Sequence, residues 1–242
     1  NENPYPPSNT AIKALRMVNP DRLRLYPQPL ADKFRQSAAR VLKVDPEWIL
    51  VGNGSDDLLT MLFRSMADTE RSVAYPVPTY VLYRTLAEIQ EAPVVEVPFD
   101  DDYALPVDTL ARAGASLTLI ANPNSPSGTR APNAALAELA ARVTGVLAID
   151  EAYVAFAAET ALELVQRFPN VIILRTLSKS HSLAGLRLGF AIAQPPLLDG
   201  LAKVKDNYNV DAVAAFVGAA AILDTEYTFA TVERIRRSRE RL

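Results

Sequence analysis

The chain has 242 residues, 49% of them hydrophobic, with a formal net charge of −3, one histidine and no cysteine. That length suits one large α/β domain or a domain plus part of another. The charge makes no electrostatic case for nucleic acid or an anionic membrane, and the missing cysteines exclude disulfides and thiolate metal sites.

NENPYPPS, at the start, reads as an extended proline-rich arm. Beyond it, strands are expected at 48–51, 72–74, 94–97, 117–121, 146–149, 171–174 and 188–192. Helices are expected at 30–43, 55–67, 79–89, 131–142, 160–168, 197–204 and 211–224. The strands are continuously apolar rather than alternating, as in a sheet covered on both faces. Strand and helix order therefore predicts a three-layer α/β sandwich with a mostly parallel sheet. The longest apolar run, AVAAFVGAAAIL at 212–223, is too short for a membrane span and reads as a buried helix. VERIRRSRERL, at 232–242, reads as an exposed helix whose Glu233, Arg236 and Arg237 form a solvated face, in preference to a basic anion-binding patch.

Ligands of such sheets bind beyond the carboxyl ends of the strands, so the polar residues just after each apolar run matter most. These are Gly52–Asp57, Pro76–Tyr80, Asn122–Gly128, Asp150–Tyr153 and Thr176–Lys179, all expected on one edge. GNGSDD, residues 52–57, is either a phosphate-binding helix start or a glycine turn capped by Ser55 or Asp56. Asp150 ends an apolar strand, where a carboxylate needs a cationic partner such as a protonated ring nitrogen, unless it caps a helix. Asp150 and its neighbour Glu151 point in different directions on an extended chain, and no metal spacing is evident. Lys179 at a strand mouth is a Schiff-base candidate or a plain surface lysine. Arg187 brings a second cation to the same edge. With Ser178 and the helix start at Ser55 it could hold a phosphate dianion. A phosphate, an aldehyde on Lys179 and a pyridinium facing Asp150 together describe pyridoxal phosphate. The lone His181 and the absence of a G-x-S-x-G elbow argue against a hydrolase, and His181 is expected to be structural or at the cofactor's edge.

NENPY, RLYPQP (24–29), GNGSDD, PVPTYVLY (76–83), NPNSPSG (122–128), DEAY (150–153) and RTLSKSHSLAGLRLGF (175–190) follow in order. Together they resemble the fold-type-I pyridoxal-phosphate-dependent aminotransferases, and most closely the histidinol-phosphate group. The resemblance implies that Lys179 holds the cofactor aldehyde and shuttles the proton, and that Asp150 pairs with the pyridine nitrogen. It implies that Tyr153 bonds the phenolic oxygen, that Tyr80 stacks on the ring, and that Ser55, Asp56, Ser178 and Arg187 surround the phosphate. Tyr26 is implied to reach the phosphate of a neighbouring subunit, hence a homodimer. The family's asparagine before P-T-G is Ser125 here, and Asn124 is expected to take over its contact. A cytoplasmic location also follows from the family. Rival readings are an aromatic amino-acid aminotransferase, an amino-acid-phosphate decarboxylase and a non-catalytic phosphate- or nucleotide-binding module. The expected division is an N-terminal arm and the start of a small-domain segment at 1–25, a cofactor-binding large domain at 26–210, and a linker helix with the start of a small domain at 211–242. The chain is expected to be cut at both ends, without the family's arginines for the glutamate carboxylate; Arg234, Arg236, Arg237, Arg239 and Arg241 match no such motif.

Overall fold

The computed structural model describes residues 1–241. Its seven strands are β1 (Ile49–Gly52), β2 (Val73–Val77), β3 (Val94–Pro98), β4 (Leu117–Ala121), β5 (Val146–Asp150), β6 (Val171–Thr176) and β7 (Gly189–Ile192). They form one sheet in the order β1-β7-β6-β5-β4-β2-β3. β2 to β6 pair in parallel, and β7 runs antiparallel to both of its neighbours. β1 therefore points the same way as the central strands. The reversal of β7 is not foreseen in the sequence. Its cause is the connection from β6, which holds only a single 3-10 turn at Ala184–Leu186 and no crossover helix.

The continuous apolarity of the strands is resolved as two interleaved faces. On β5 and β6, Leu147, Ile149, Val171 and Ile173 face one core, while Val146, Ala148, Ile172 and Leu174 face the other. The second core is closed by α3 (Ser55–Met66), α4 (Leu82–Ile89) and α8 (Pro195–Ala202), through residues such as Phe63, Tyr83 and Leu198. The first is closed by α1 (Asn9–Arg16), α2 (Asp32–Leu42), α5 (Val107–Arg112), α6 (Asn133–Arg142), α7 (Leu164–Arg167) and α9 (Ala212–Leu223).

α1 and α5 are additions to the sequence expectation. α1 carries a legible start signal, since Ser8 Oγ accepts from Ala11 N at 3.1 Å. The helix expected at 160–168 shrinks to α7 because Ala161 N donates to Glu151 Oε1 at 2.6 Å instead of entering a helix. α9 starts on Asp211, whose Oδ1 accepts from Val213 N and Ala214 N, each at 2.8 Å. It is buried against the core as its composition predicts. α10 (Thr225–Arg239) follows after a bend of 77°. Among the described residues no single helix is long and apolar enough to cross a membrane.

Candidate active site

Strand register brings the polar strand ends together. Gly189 at the start of β7 pairs with Gly52 at the end of β1 and with Thr176 at the end of β6. Asp150 at the end of β5 pairs with Ala121 on β4 and Leu174 on β6. Because β7 is reversed, its beginning, and Arg187 just before it, lie at the same edge as the ends of the other strands. A cavity of roughly 220 Å³ opens there, and Ser55, Asp56, Tyr80, Asp150, Tyr153, Ser178, Lys179 and Arg187 all border it. Eight of the ten residues singled out for the site thus share one space.

One end of that cavity is built for an anion. Gly54 precedes α3 with φ +81° and no side-chain cap, which leaves the first-turn amides of Ser55 and Asp56 unclaimed by a capping side chain. A Cβ on Gly54 would sit 2.6 Å from Arg187 Nη2, so only glycine lets the guanidinium close over the turn. Gly189 is equally constrained, because a Cβ there would lie 2.6 Å from both Gly54 C and Ser55 N. The Asp56 carboxylate does not itself attract an anion. It accepts from Arg187 Nη2 at 3.1 Å and from Tyr80 Oη at 3.3 Å, which fixes the cation and the aromatic ring relative to the turn. The Tyr80 hydroxyl is pushed up to about 12 by burial and by that carboxylate. Ser178 is buried, and its hydroxyl accepts from Thr176 Oγ1 at 2.9 Å.

The other end holds Asp150, which is 6% exposed. Ala152 N donates to Oδ1 and Tyr83 Oη to Oδ2, each at 3.1 Å. No cation pairs with it among the described residues, and burial pushes its carboxyl up to about 6 against the lowering effect of those two bonds. An uncompensated buried carboxylate facing a cavity is suited to a ligand that brings its own positive charge. Lys179 Nζ lies over the Tyr153 ring, 5.6 Å from its centroid, rather than in an ion pair. The N-terminal arm covers this part of the site: Asn3 Nδ2 donates to the Lys179 carbonyl and Asn1 Nδ2 to Tyr153 Oη, both at 2.9 Å. The set of groups fits a molecule with a basic ring nitrogen at one end and a dianion at the other, within reach of a primary amine.

Other expectations change. Asn124 does not border the space between Asp150 and Ser55; Ser125 and Pro123 do. The Asn124 amide is consumed by its own loop and the loop after β2, with Nδ2 donating to Ser127 Oγ and Pro78 O and Oδ1 accepting from Thr79 Oγ1. Its expected contact with a phenolic oxygen therefore has no free donor behind it. His181 lies away from this cavity and borders a different one of roughly 370 Å³, where Ser180 shares a hydrogen bond with its Nδ1. Tyr26 is likewise outside the cavity, 82% exposed, and stacked on Tyr208 at 4.6 Å between centroids. Glu151 faces away from Asp150 as its alternation predicts, bonding Arg175 at 2.8 Å and Thr160 at 2.9 Å.

Tyr83 is the residue that sequence reasoning misses. A fully buried tyrosine that donates to Asp150 is part of the site, and its signal was available in the i, i+3 spacing from Tyr80.

The sequence matches the family Aminotransferase class I and II over residues 1–242. It is 52% identical to histidinol-phosphate aminotransferase 1 of Trichormus variabilis, covering 100% of this chain and 69% of that protein. A second relative of the same description, from Nostoc sp., is 53% identical over the same shares. Among solved structures, the histidinol-phosphate aminotransferase of Sinorhizobium meliloti in complex with pyridoxal-5'-phosphate superposes with a TM-score of 0.93 at 28% identity, covering 100% of this chain and 68% of that one. With the match spanning the whole sequence and the motif residues gathered at one sheet edge, the chain belongs to the class I and II aminotransferases.

Proposed function

We propose that this chain supplies the cofactor-binding part of a pyridoxal-phosphate-dependent aminotransferase that interconverts histidinol phosphate and 2-oxoglutarate with imidazole acetol phosphate and glutamate. The observation that carries the reading is the placement of Lys179 and the uncompensated Asp150 carboxylate on one cavity whose far end is an uncapped helix start under Arg187. Relatives described as histidinol-phosphate aminotransferases at 52% and 53% identity give the substrate pair.

Pyridoxal phosphate, when bound, supplies an aldehyde for the substrate amine and a ring that takes up the electron pair released at Cα. Lys179 would hold that aldehyde until an incoming amine displaces it, and its freed Nζ would then move the proton from Cα. Asp150 would keep the ring nitrogen protonated by charge pairing. Tyr83, donating to Oδ2, and Ala152, donating to Oδ1, hold the carboxylate in one orientation for that pairing. The amides of Ser55 and Asp56, with Ser178 and Arg187, would bind the phosphate, and Tyr80, tethered by Asp56, would cover one ring face. Tyr153 Oη and the Ser125 hydroxyl remain at the wall for the phenolic oxygen.

The large exposure of Tyr26 suits a residue that serves a second subunit, so a homodimer is part of the proposal. We place an arm with the start of a small-domain segment at 1–25, the cofactor-binding domain at 26–210, and a linker helix with the start of a small domain at 211–242. The cytoplasmic location rests on the family alone.

The test is an absorption spectrum of the purified protein before and after borohydride, with the reduced lysine mapped. Attachment at Lys179 and loss of turnover in Lys179→Ala are expected. Turnover retained by that variant, or a reducible link elsewhere, would overturn the assignment. Comparing histidinol phosphate with phenylalanine and threonine phosphate as substrates separates the proposal from its nearest relatives. Nucleotide-dependent thermal stabilisation without any cofactor absorbance would mark a binding module instead.

A further inference from the structure

The turn at the anion end of the cavity is held from outside that cavity. Asp57 stands in the first turn of α3, where a carboxylate ordinarily answers the helix dipole. Beside an anion site that placement is unfavourable, since the carboxylate competes with the ligand for the dipole and repels its charge. The Asp57 side chain is spent differently. Its Oδ2 reaches back over the turn, accepting from Asn53 N at 2.9 Å and from Asn209 Nδ2 at 2.8 Å. Gly54 N donates to Gly52 O at 2.9 Å, which closes the turn and leaves Ser55 and Asp56 bordering the cavity.

Asn209 lies in the irregular stretch between α8 and α9 and is bonded to β1 and its turn at two further points. Its Nδ2 also donates to Val51 O at 3.2 Å, and its carbonyl accepts from Asn53 Nδ2 at 3.1 Å. Lys205 pins the stretch itself. Its Nζ donates to Asn209 Oδ1 at 3.2 Å and to the carbonyls of Asp206 at 2.7 Å and Asn207 at 3.2 Å. We propose that Asn209 and Asp57 are positioning residues for the cofactor phosphate, locking the turn so that the Ser55 and Asp56 amides stand ready for the dianion. Both act through the backbone of the turn and border no part of the cavity themselves. The proposal deepens the aminotransferase reading above and rests on it. It also opposes simple electrostatics in sign. Removing only the charge at position 57 favours an anion, whereas removing the acceptor frees the turn and weakens anion binding.

The experiment titrates the cofactor-free full chain with pyridoxal phosphate, with pyridoxal, which lacks the phosphate, and with inorganic phosphate. Absorbance follows the two aldehydes and calorimetry the phosphate. Asn209→Ala and Asp57→Ala should each weaken pyridoxal phosphate and inorganic phosphate roughly tenfold, while pyridoxal changes less than about twofold. A general folding defect would weaken both aldehydes alike. Asp57→Asn loses the charge but keeps an oxygen that can accept from Asn53 N and Asn209 Nδ2, so it should restore the phosphate affinity that Asp57→Ala loses. Unchanged or tighter phosphate binding in either alanine variant, or equal losses for the two aldehydes, would overturn the positioning role. So would a loss in Asp57→Asn as large as that in Asp57→Ala. Should the unaltered chain form no reducible link to pyridoxal phosphate, the aminotransferase reading falls, and the inorganic phosphate titrations of the same variants still decide whether the turn is held from Asn209.

Discussion

Replacing Asp150 with asparagine should stabilise the cofactor-free protein while impairing its function. In the folded chain the carboxyl is pushed from the usual 3.8 up to about 6, chiefly by burial. Below pH 3.8 it is protonated in both folded and unfolded chains and contributes no penalty. Between 3.8 and about 6 the folded protein keeps a proton that the unfolded chain has released, so this group makes stability fall as pH rises. Above that window the full penalty applies, and the gap at about 1.4 kcal/mol per pH unit comes to about 3 kcal/mol. Asparagine buries no charge, and its Oδ1 can still accept from Ala152 N. The Tyr83 hydroxyl can rotate to accept from Nδ2, so no hydrogen bond need be abandoned. Urea unfolding of the cofactor-free proteins, followed by the fluorescence of Trp48, the sole tryptophan, reads the difference directly. The variant should be more stable by about 1–3 kcal/mol at pH 7.5 and indistinguishable near pH 3.5. Cofactor should then stabilise it less than the unaltered protein, because the ring nitrogen has lost its counter-charge. A variant equally or less stable at pH 7.5 would refute the idea that Asp150 is held at a folding cost for the ligand's sake.

Three further outcomes follow from the same geometry. Tyr83→Phe keeps the ring packing but removes a donor to a carboxylate; the cofactor-free variant should lose about 1.5–3 kcal/mol at pH 7.5 and little at pH 3.5, a contrast that urea unfolding at the two pH values measures. Gly189→Ala drives a Cβ to 2.6 Å from the Gly54–Ser55 backbone; calorimetry should show cofactor affinity reduced at least about tenfold, beyond a stability loss of about 1–3 kcal/mol. Burial pushes His181 down to about 4, partly offset by Asp224, so its contribution is present above pH 6.5 and is lost as pH falls towards 4. His181→Gln should therefore flatten the acid limb of the stability profile, and an unchanged limb would show that the ring is solvated in the folded state.

Much of this protein was legible in one dimension. Apolar runs located all seven strands, because a sheet covered on both faces buries both alternating sets of side chains on its central strands. Strand polarity then implied that Asp150, Lys179 and the turn before α3 share an edge, since parallel strands end together. The DEAY and SKSHSLAGLR segments carried the family resemblance, because the chemistry tolerates few residue types at those strand ends.

Tertiary structure decided what depended on pairing between distant segments. The reversal of β7 came from a connection without a crossover helix, and it brought Gly189 against Gly52 and Thr176, with Arg187 beside the turn before α3. Tyr83 became a partner of Asp150 only when α4 packed onto the sheet and brought its hydroxyl to the end of β5. Asn124 was withdrawn from the cleft by hydrogen bonds to Ser127 and to Pro78 and Thr79 in the loop after β2, and the bend after α9 brought half-buried Arg236 and exposed Arg239 to the rim of a cavity beside Lys179. Periodicity records which face of an element is apolar, whereas the partner of a polar atom is set by where another part of the chain comes to rest.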